Sequence, residues 1–129
     1  MERKRLSLSY IQIGSTGSWG HPINLNHEHL FPNYSAEIFD KIEAHALDTV
    51  LIDGRFRVAC ILQTIINCYR NKNLQILVHD FSIRPEYHEV LKYLDKVVEA
   101  ETLGVFQIKK DIDIDAVKKD YELFKFNPA

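Results

Sequence analysis

What this chain has little of narrows what it can be. Among its 129 residues are two cysteines, one tryptophan and one methionine. Cys60 and Cys68 fall on one predicted helix, about 12 Å apart at about 1.5 Å per residue, which is too far for a disulfide. They read as small core residues, and reduced thiols fit a cytoplasmic location. An excess of either charge is also missing. Sixteen basic and eighteen acidic residues leave a net charge of −2, so there is no electrostatic footprint for nucleic acid or an anionic membrane. No apolar run approaches the roughly twenty residues of a membrane span, and the start, MERKR, has no signal-peptide core. Familiar chemical signatures are absent too. The stretch Gly14 to Gly20 contains no Gly-Lys-Ser/Thr and no amphipathic helix opens directly behind it, which excludes a P-loop and a dinucleotide fingerprint. His27-Glu28-His29 lacks the spacing of a zinc-binding H-E-x-x-H, and Asp111, Asp113 and Asp115 do not continue into a calcium loop. With no repeat, low-complexity segment or composition break, residues 1–129 read as a single domain.

What is present centres on Thr49 to Tyr69. Thr49-Val50-Leu51-Ile52 is a short apolar run rich in β-branched residues, the pattern of a buried strand, and it ends at Asp53-Gly54. After Arg55-Phe56-Arg57, apolar residues recur at Val58, Ile61, Leu62, Ile65, Ile66 and Tyr69, one face of a helix. The same grammar repeats downstream. Gln75 to Val78 is a second buried strand ending in His79-Asp80-Phe81. Pro85 opens a helix whose buried face carries Val90, Leu91, Leu94, Val97 and Val98, and Val105 to Ile108 is a further strand. Upstream, Leu6 to Ile13 alternates as a strand, and Ser35 is placed to cap a short helix through Ala46. Asp111 to Asp115 fits an edge strand or a capped turn, and Lys118 to Phe126 a terminal helix or strand.

Alternating strands and helices predict an α/β domain with a mainly parallel sheet and right-handed crossovers. Such a sheet gathers its strand-end loops along one edge, where ligands bind. Gly14 to Gly20, Asp53 to Arg57 and His79 to Phe81 are therefore expected side by side.

The stretches IGSTGSWGHP, NYS, DTVLIDGRFRVAC and ILVHDFSIRPEYHEVLKYLD resemble a group of uncharacterised proteins related to class I S-adenosylmethionine-dependent methyltransferases. The resemblance runs from about Tyr10 to Lys110. It implies a three-layer Rossmann-like fold with helices on both faces, in which these strands are the third to sixth and a last strand lies antiparallel at the edge. It is incomplete relative to a full class I methyltransferase. In that group the glycine-rich turn and the acid that hold the cofactor belong to a segment that would precede Met1. A fragment, a split protein and a reduced relative all fit this pattern. The implied activity is O-methyl transfer from S-adenosylmethionine to a sugar or small polar acceptor. The alternative is a non-catalytic Rossmann-like module acting through dimerisation or a partner chain on the open side of a truncated sheet.

Roles follow from residue type and place. Asp53 and Asp80 end neighbouring strands, and their positions resemble the carboxylates that hold magnesium in catechol-type methyltransferases. Phe81 stands where that group has a further amide ligand. His79 is a candidate general base, and with Asp53 and Asp80 completes the expected catalytic set. Arg55 and Arg57 suit bidentate recognition of a phosphate or carboxylate, with Trp19 beside them on the substrate. Gly14, Thr16 and Gly17 are the residues expected to face the cofactor. Each has a structural alternative. Asp53 can cap the helix or pair with Arg55 or Arg57, Asp80 can pair with Arg84, His79 can be a satisfied strand-end histidine, and Trp19 can be core.

Overall fold

The computed structural model describes residues 6–129, so the MERKR segment lies outside the described residues. In chain order the elements are α1 (Phe31–Ala36), β1 (Thr49–Ile52), α2 (Arg57–Cys68), β2 (Gln75–Val78), β3 (Leu94–Ala100), β4 (Leu103–Ile108) and α3 (Ile114–Phe124), joined by 3-10 turns and loops. The fold is α/β and Rossmann-like. Its sheet runs β1-β2-β4-β3. β1 and β2 are parallel, and β4 is antiparallel to both its neighbours. Three strands therefore share one direction and β4 alone is reversed, sitting inside the sheet rather than at its edge.

The core forms where the periodicities meet. α2 buries Ile61, Leu62 and Ile65 completely, and the register Val50↔Ile76↔Phe106 and Ile52↔Val78↔Gly104 sets a matching apolar sheet face against it. At Gly104 any Cβ would run into the Phe106 ring. α3 packs beside α2 through Val117 and Tyr121. The Tyr121 hydroxyl meets Ser35 Oγ at 2.8 Å, which locks α1 to the same side.

Four details differ from expectation, and one settles an open alternative. Leu6 to Ile13 forms no strand: its alternation is real, but no neighbour offers a ladder, and Leu6, Leu8 and Tyr10 are exposed. Ser35 lies inside α1, because Pro32 starts that helix earlier, and the remainder to Ala46 is broken into 3-10 turns. The helix opened by Pro85 is a 3-10 helix ending at Lys92, and Leu94 to Ala100 is β3. Leu94, Val97 and Val98 mimic a helical stripe only because a bulge at Lys96 to Val98 breaks the two-residue alternation of a strand. Asp113 caps α3 by accepting from the amides of Asp115 and Ala116, which decides for the capped turn and a terminal helix. Finally, the second helical layer is not seen among the described residues. The sheet face opposite α2 shows Leu51 at 63% exposure and Val98 at 52%, with Leu77 and Val105 half-buried between them. No helix among the described residues is long and apolar enough to cross a membrane.

Candidate functional site

The loops that follow β1 and β2 are pinned from beneath by one buried side chain. Arg57, 4% exposed at the start of α2, donates from Nε to the Gly54 carbonyl (2.9 Å), from Nη1 to the His79 carbonyl and from Nη2 to Asp53 Oδ1 (3.2 Å). Its guanidinium also lies 3.9 Å from Asp80 Oδ2 and over the Tyr87 ring. A buried cation with this many partners is a tie between two strand ends.

Above it stand the acids and a histidine. His79 Nδ1 lies 3.1 Å from Asp53 Oδ1 and 3.4 Å from Asp80 Oδ2. Two carboxylates against Nδ1 favour the tautomer protonated there and leave Nε2 as the basic nitrogen. Asp80 is itself held by the Thr102 hydroxyl, from the turn after β3.

The glycine-rich loop reaches the same rim. Trp19, His21, Asp53, Gly54, Arg55, Arg57, His79, Asp80 and Arg84 line one pocket of about 520 Å³, inside the range of small-molecule sites. Trp19 is 88% exposed, so it is not a core residue. A second pocket of about 240 Å³ continues beneath the loop, with Gly14, Thr16 and Gly20 in its lining, and shares Trp19, Gly54 and Arg55 with the first. The two form one groove. A third cavity, about 240 Å³ between α1 and β1 with Tyr34, Ile38, Phe39 and Leu51 in its lining, also shares Asp53, Gly54 and Arg55 with the first, but neither His79 nor Asp80 lines it.

Backbone strain concentrates here. Of the described non-glycine residues with left-handed backbone, Trp19 (φ 58°), Phe56 (φ 54°) and Asp80 (φ 57°) are in the rim loops, and Glu101 (φ 56°) turns the hairpin beside Thr102. Such residues cost about 1–3 kcal/mol each unless their surroundings hold them. Phe56 shows how: it is fully buried against Phe31 and Tyr34. Gly54 admits the Tyr34 hydroxyl where a Cβ would stand, and that hydroxyl accepts from the Arg55 amide at 3.3 Å. The amide groups of Phe56 and Arg57 donate to the carbonyls of Pro128 and Ala129, so two of the donors at the start of α2 are already taken.

The structure thus brings Asp53, His79, Asp80, Arg55 and Trp19 together, with Arg57 beneath them. Of the residues expected to face a cofactor, Gly14 and Thr16 line the groove, whereas Gly17 lines none of these pockets. The Gly14 amide is taken by Gln12 Oε1 and the Gly17 amide by the His21 carbonyl, and space beside Gly14 is filled by His27. Room remains at Gly20, where the nearest atom to an added Cβ is Arg55 Cγ at 3.7 Å. Thr16, Trp19 and Gly20 therefore form the open part of the groove wall. No group of three or more His, Cys, Asp or Glu side chains among the described residues is placed to hold a metal. The expected carboxylate ligands Asp53 and Asp80 instead face the Arg57 guanidinium. His27 and His29, likewise, belong to no metal cluster.

The fold is methyltransferase-like. The solved structure of a methyltransferase-like protein from Silicibacter pomeroyi DSS-3 superposes with a TM-score of 0.78 at 28% identity, over 93% of this chain and 61% of that one. This chain therefore spans about three fifths of that protein's length. No protein-family model matches the chain, and no curated protein does.

His21 and Arg84 are the site residues that sequence reasoning did not assign. The first had a signal, since it closes the glycine-rich loop; the second is expected only as a partner for Asp80, and instead lies 4.0 Å from Glu86.

Proposed function

We propose that the rim groove is the acceptor side of an S-adenosylmethionine-dependent O-methyl transfer to a sugar or other small polar molecule. The observation that carries this reading is the Asp53-His79-Asp80 cluster inside a pocket shared with the glycine-rich loop, in a chain whose fold is methyltransferase-like. When bound, the cofactor would supply an electrophilic methyl carbon. The chain's part is to prepare the acceptor. His79 takes the acceptor's hydroxyl proton at Nε2, and Asp53 and Asp80 balance the imidazolium charge that results, without themselves taking the proton. Arg57 holds the cluster's geometry by fixing both strand ends, and Thr16, Trp19 and Gly20 wall the cofactor side. The test is methyl transfer from labelled S-adenosylmethionine to a panel of small hydroxylated acceptors. Transfer that falls sharply in His79→Gln supports the reading, and transfer indifferent to that substitution removes it.

A second reading has its own observation. The exposed sheet face around Leu51 and Val98, and the unpaired edge of β1, favour a module that works by association with a second copy or a partner chain. Sedimentation velocity distinguishes the two: a stable dimer indifferent to S-adenosylmethionine favours association alone.

A further inference from the structure

The arginines of the rim are not equivalent, and the difference identifies what the pocket takes. Arg57 spends its donors on two carbonyls and two carboxylates. Arg84 lies 4.0 Å from Glu86, a half-exposed surface pair of little strength. Arg55 has no carboxylate within ion-pair distance among the described residues. Its Nη1 donates to His21 Nε2 at 2.8 Å, and its Nε is buried without a partner. A permanently charged guanidinium with a buried orphan donor is a costly arrangement in a folded protein. It is also held still: Nη1 is fixed by His21, the amide by Tyr34, and the loop by buried Phe56. Asp53 and Asp80 both face Arg57 and are contacted by His79, and the lining sets these two carboxylates against three guanidiniums; of the three, Arg55 is the one with no carboxylate of its own within ion-pair distance among the described residues.

In the lining of the same two pockets, the chain's one tryptophan stands 88% exposed on a left-handed backbone. Holding a large aromatic face to solvent at the cost of backbone strain is the behaviour of a platform for a ring.

We infer that the pocket selects a ring-bearing acceptor that carries an anionic group, a carboxylate or a phosphate, with Arg55 binding the anion and Trp19 stacking on the ring. This rests on the reading of the groove as an acceptor site and narrows its substrate class. The acceptor's hydroxyl then faces His79, across the pocket from the anion. Arg55 and Trp19 determine specificity here and take no part in proton transfer.

Trp19 fluorescence tests this without a label. Glucose, glucose 6-phosphate, glucuronate and inorganic phosphate are titrated separately into the protein with no cofactor present. A saturable change is expected with glucose 6-phosphate or glucuronate and none with glucose; which of the two binds tells phosphate from carboxylate. Raised salt should weaken the response. In Arg55→Gln the apparent affinity should fall roughly ten- to hundredfold, the span for losing a charge-assisted contact, with the circular dichroism unchanged because Arg55 supports no core residue. Arg84→Gln should change it far less. Equal binding of glucose and its charged relatives, no response to any of the anions, or an Arg55→Gln protein that binds as well as the parent would each overturn the inference. Because the cofactor is absent, anion binding in a protein that transfers no methyl group would leave this inference standing and sink only the reaction.

Discussion

His79 is where the chemistry stands or falls. With Nδ1 against two carboxylates, its Nε2 is oriented for one task, and general-base removal costs about 10²–10⁴ in rate. His79→Gln should therefore lower methyl transfer by that order with little change in acceptor affinity, read as a fall in kcat at constant KM. Gly54 offers a contrasting test of structure. Gly54→Ala would push a methyl group into the Tyr34 hydroxyl and displace the Arg55 amide, so we expect a loss of about 1–3 kcal/mol in urea unfolding, from overpacking of a filled site. Cys60 adds a chemical check. Burial pushes its thiol up to about 12 despite the nearby Arg57, so alkylation of the native protein at pH 8 should be slow and become fast on unfolding. Asp53, His79 and Asp80 were readable in the sequence as strand-end residues because apolar runs stop at them. The orientation of Arg55 was not, since Arg55 and Arg57 are alike as residue types and differ only in burial, which a loop's sequence does not encode.

Between elements, two ties matter. Arg57 joins the ends of β1 and β2 at the head of α2. Arg57→Ala leaves two carboxylates and two carbonyls without their donor, and should cost about 3–5 kcal/mol in unfolding and loosen the site with it. The second tie clasps α3 to the start of β3: Lys92 Nζ lies 2.7 Å from Asp120 Oδ2, and the Tyr93 hydroxyl donates to the same oxygen. Burial pushes the Asp120 carboxyl up, but hydrogen bonds from Lys92 and Tyr93 outweigh it and hold the group below its ordinary value. The hydrogen bond to Asp120 raises Lys92, and burial with the same bond raises Tyr93 to about 12. Stability from Asp120 is thus present above its unfolded value of about 3.9 and lost as pH falls through the folded one. The contributions of Lys92 and Tyr93 are present below about 10 and lost as pH rises through their folded values. Asp120→Asn should flatten the acid limb of a stability profile measured by urea unfolding between pH 3 and pH 7. The elements themselves were legible wherever one period ran unbroken, as in β1, α2 and β2. They were not where a device interrupts the period: the bulge in β3 imitates a helix, and Pro32 starts α1 within what reads as a loop.

For the molecule as a whole, the asymmetry of the sheet is the main physical fact. One face is sealed by α1, α2 and α3, and the other displays Leu51 and Val98. Burying one such side chain is worth about 1.5–3 kcal/mol, so this face has much to gain from a cover. If the cover is a second copy, Leu51→Lys should shift the sedimentation profile toward monomer while leaving thermal stability nearly unchanged, because Leu51 contributes little to the existing core. The parallel pairing of β1 with β2 could be inferred from the strand-helix-strand order, but the reversal of β4 could not, because β3 reads as helix and hides the hairpin that turns the chain. The lack of a second helical layer among the described residues could not be inferred either, because a strand covered on one side and one covered on both carry similar apolar runs over so short a length.

Trp19 is the only tryptophan in the chain and it stands in the wall of the groove, so S-adenosylmethionine binding can be watched at the site itself. Titrating the folded protein with S-adenosylmethionine should give a saturable change in tryptophan emission that coincides with a calorimetric heat. A flat emission curve together with no measurable heat, in a protein shown to be folded, would contradict the assignment of this groove to methyl transfer.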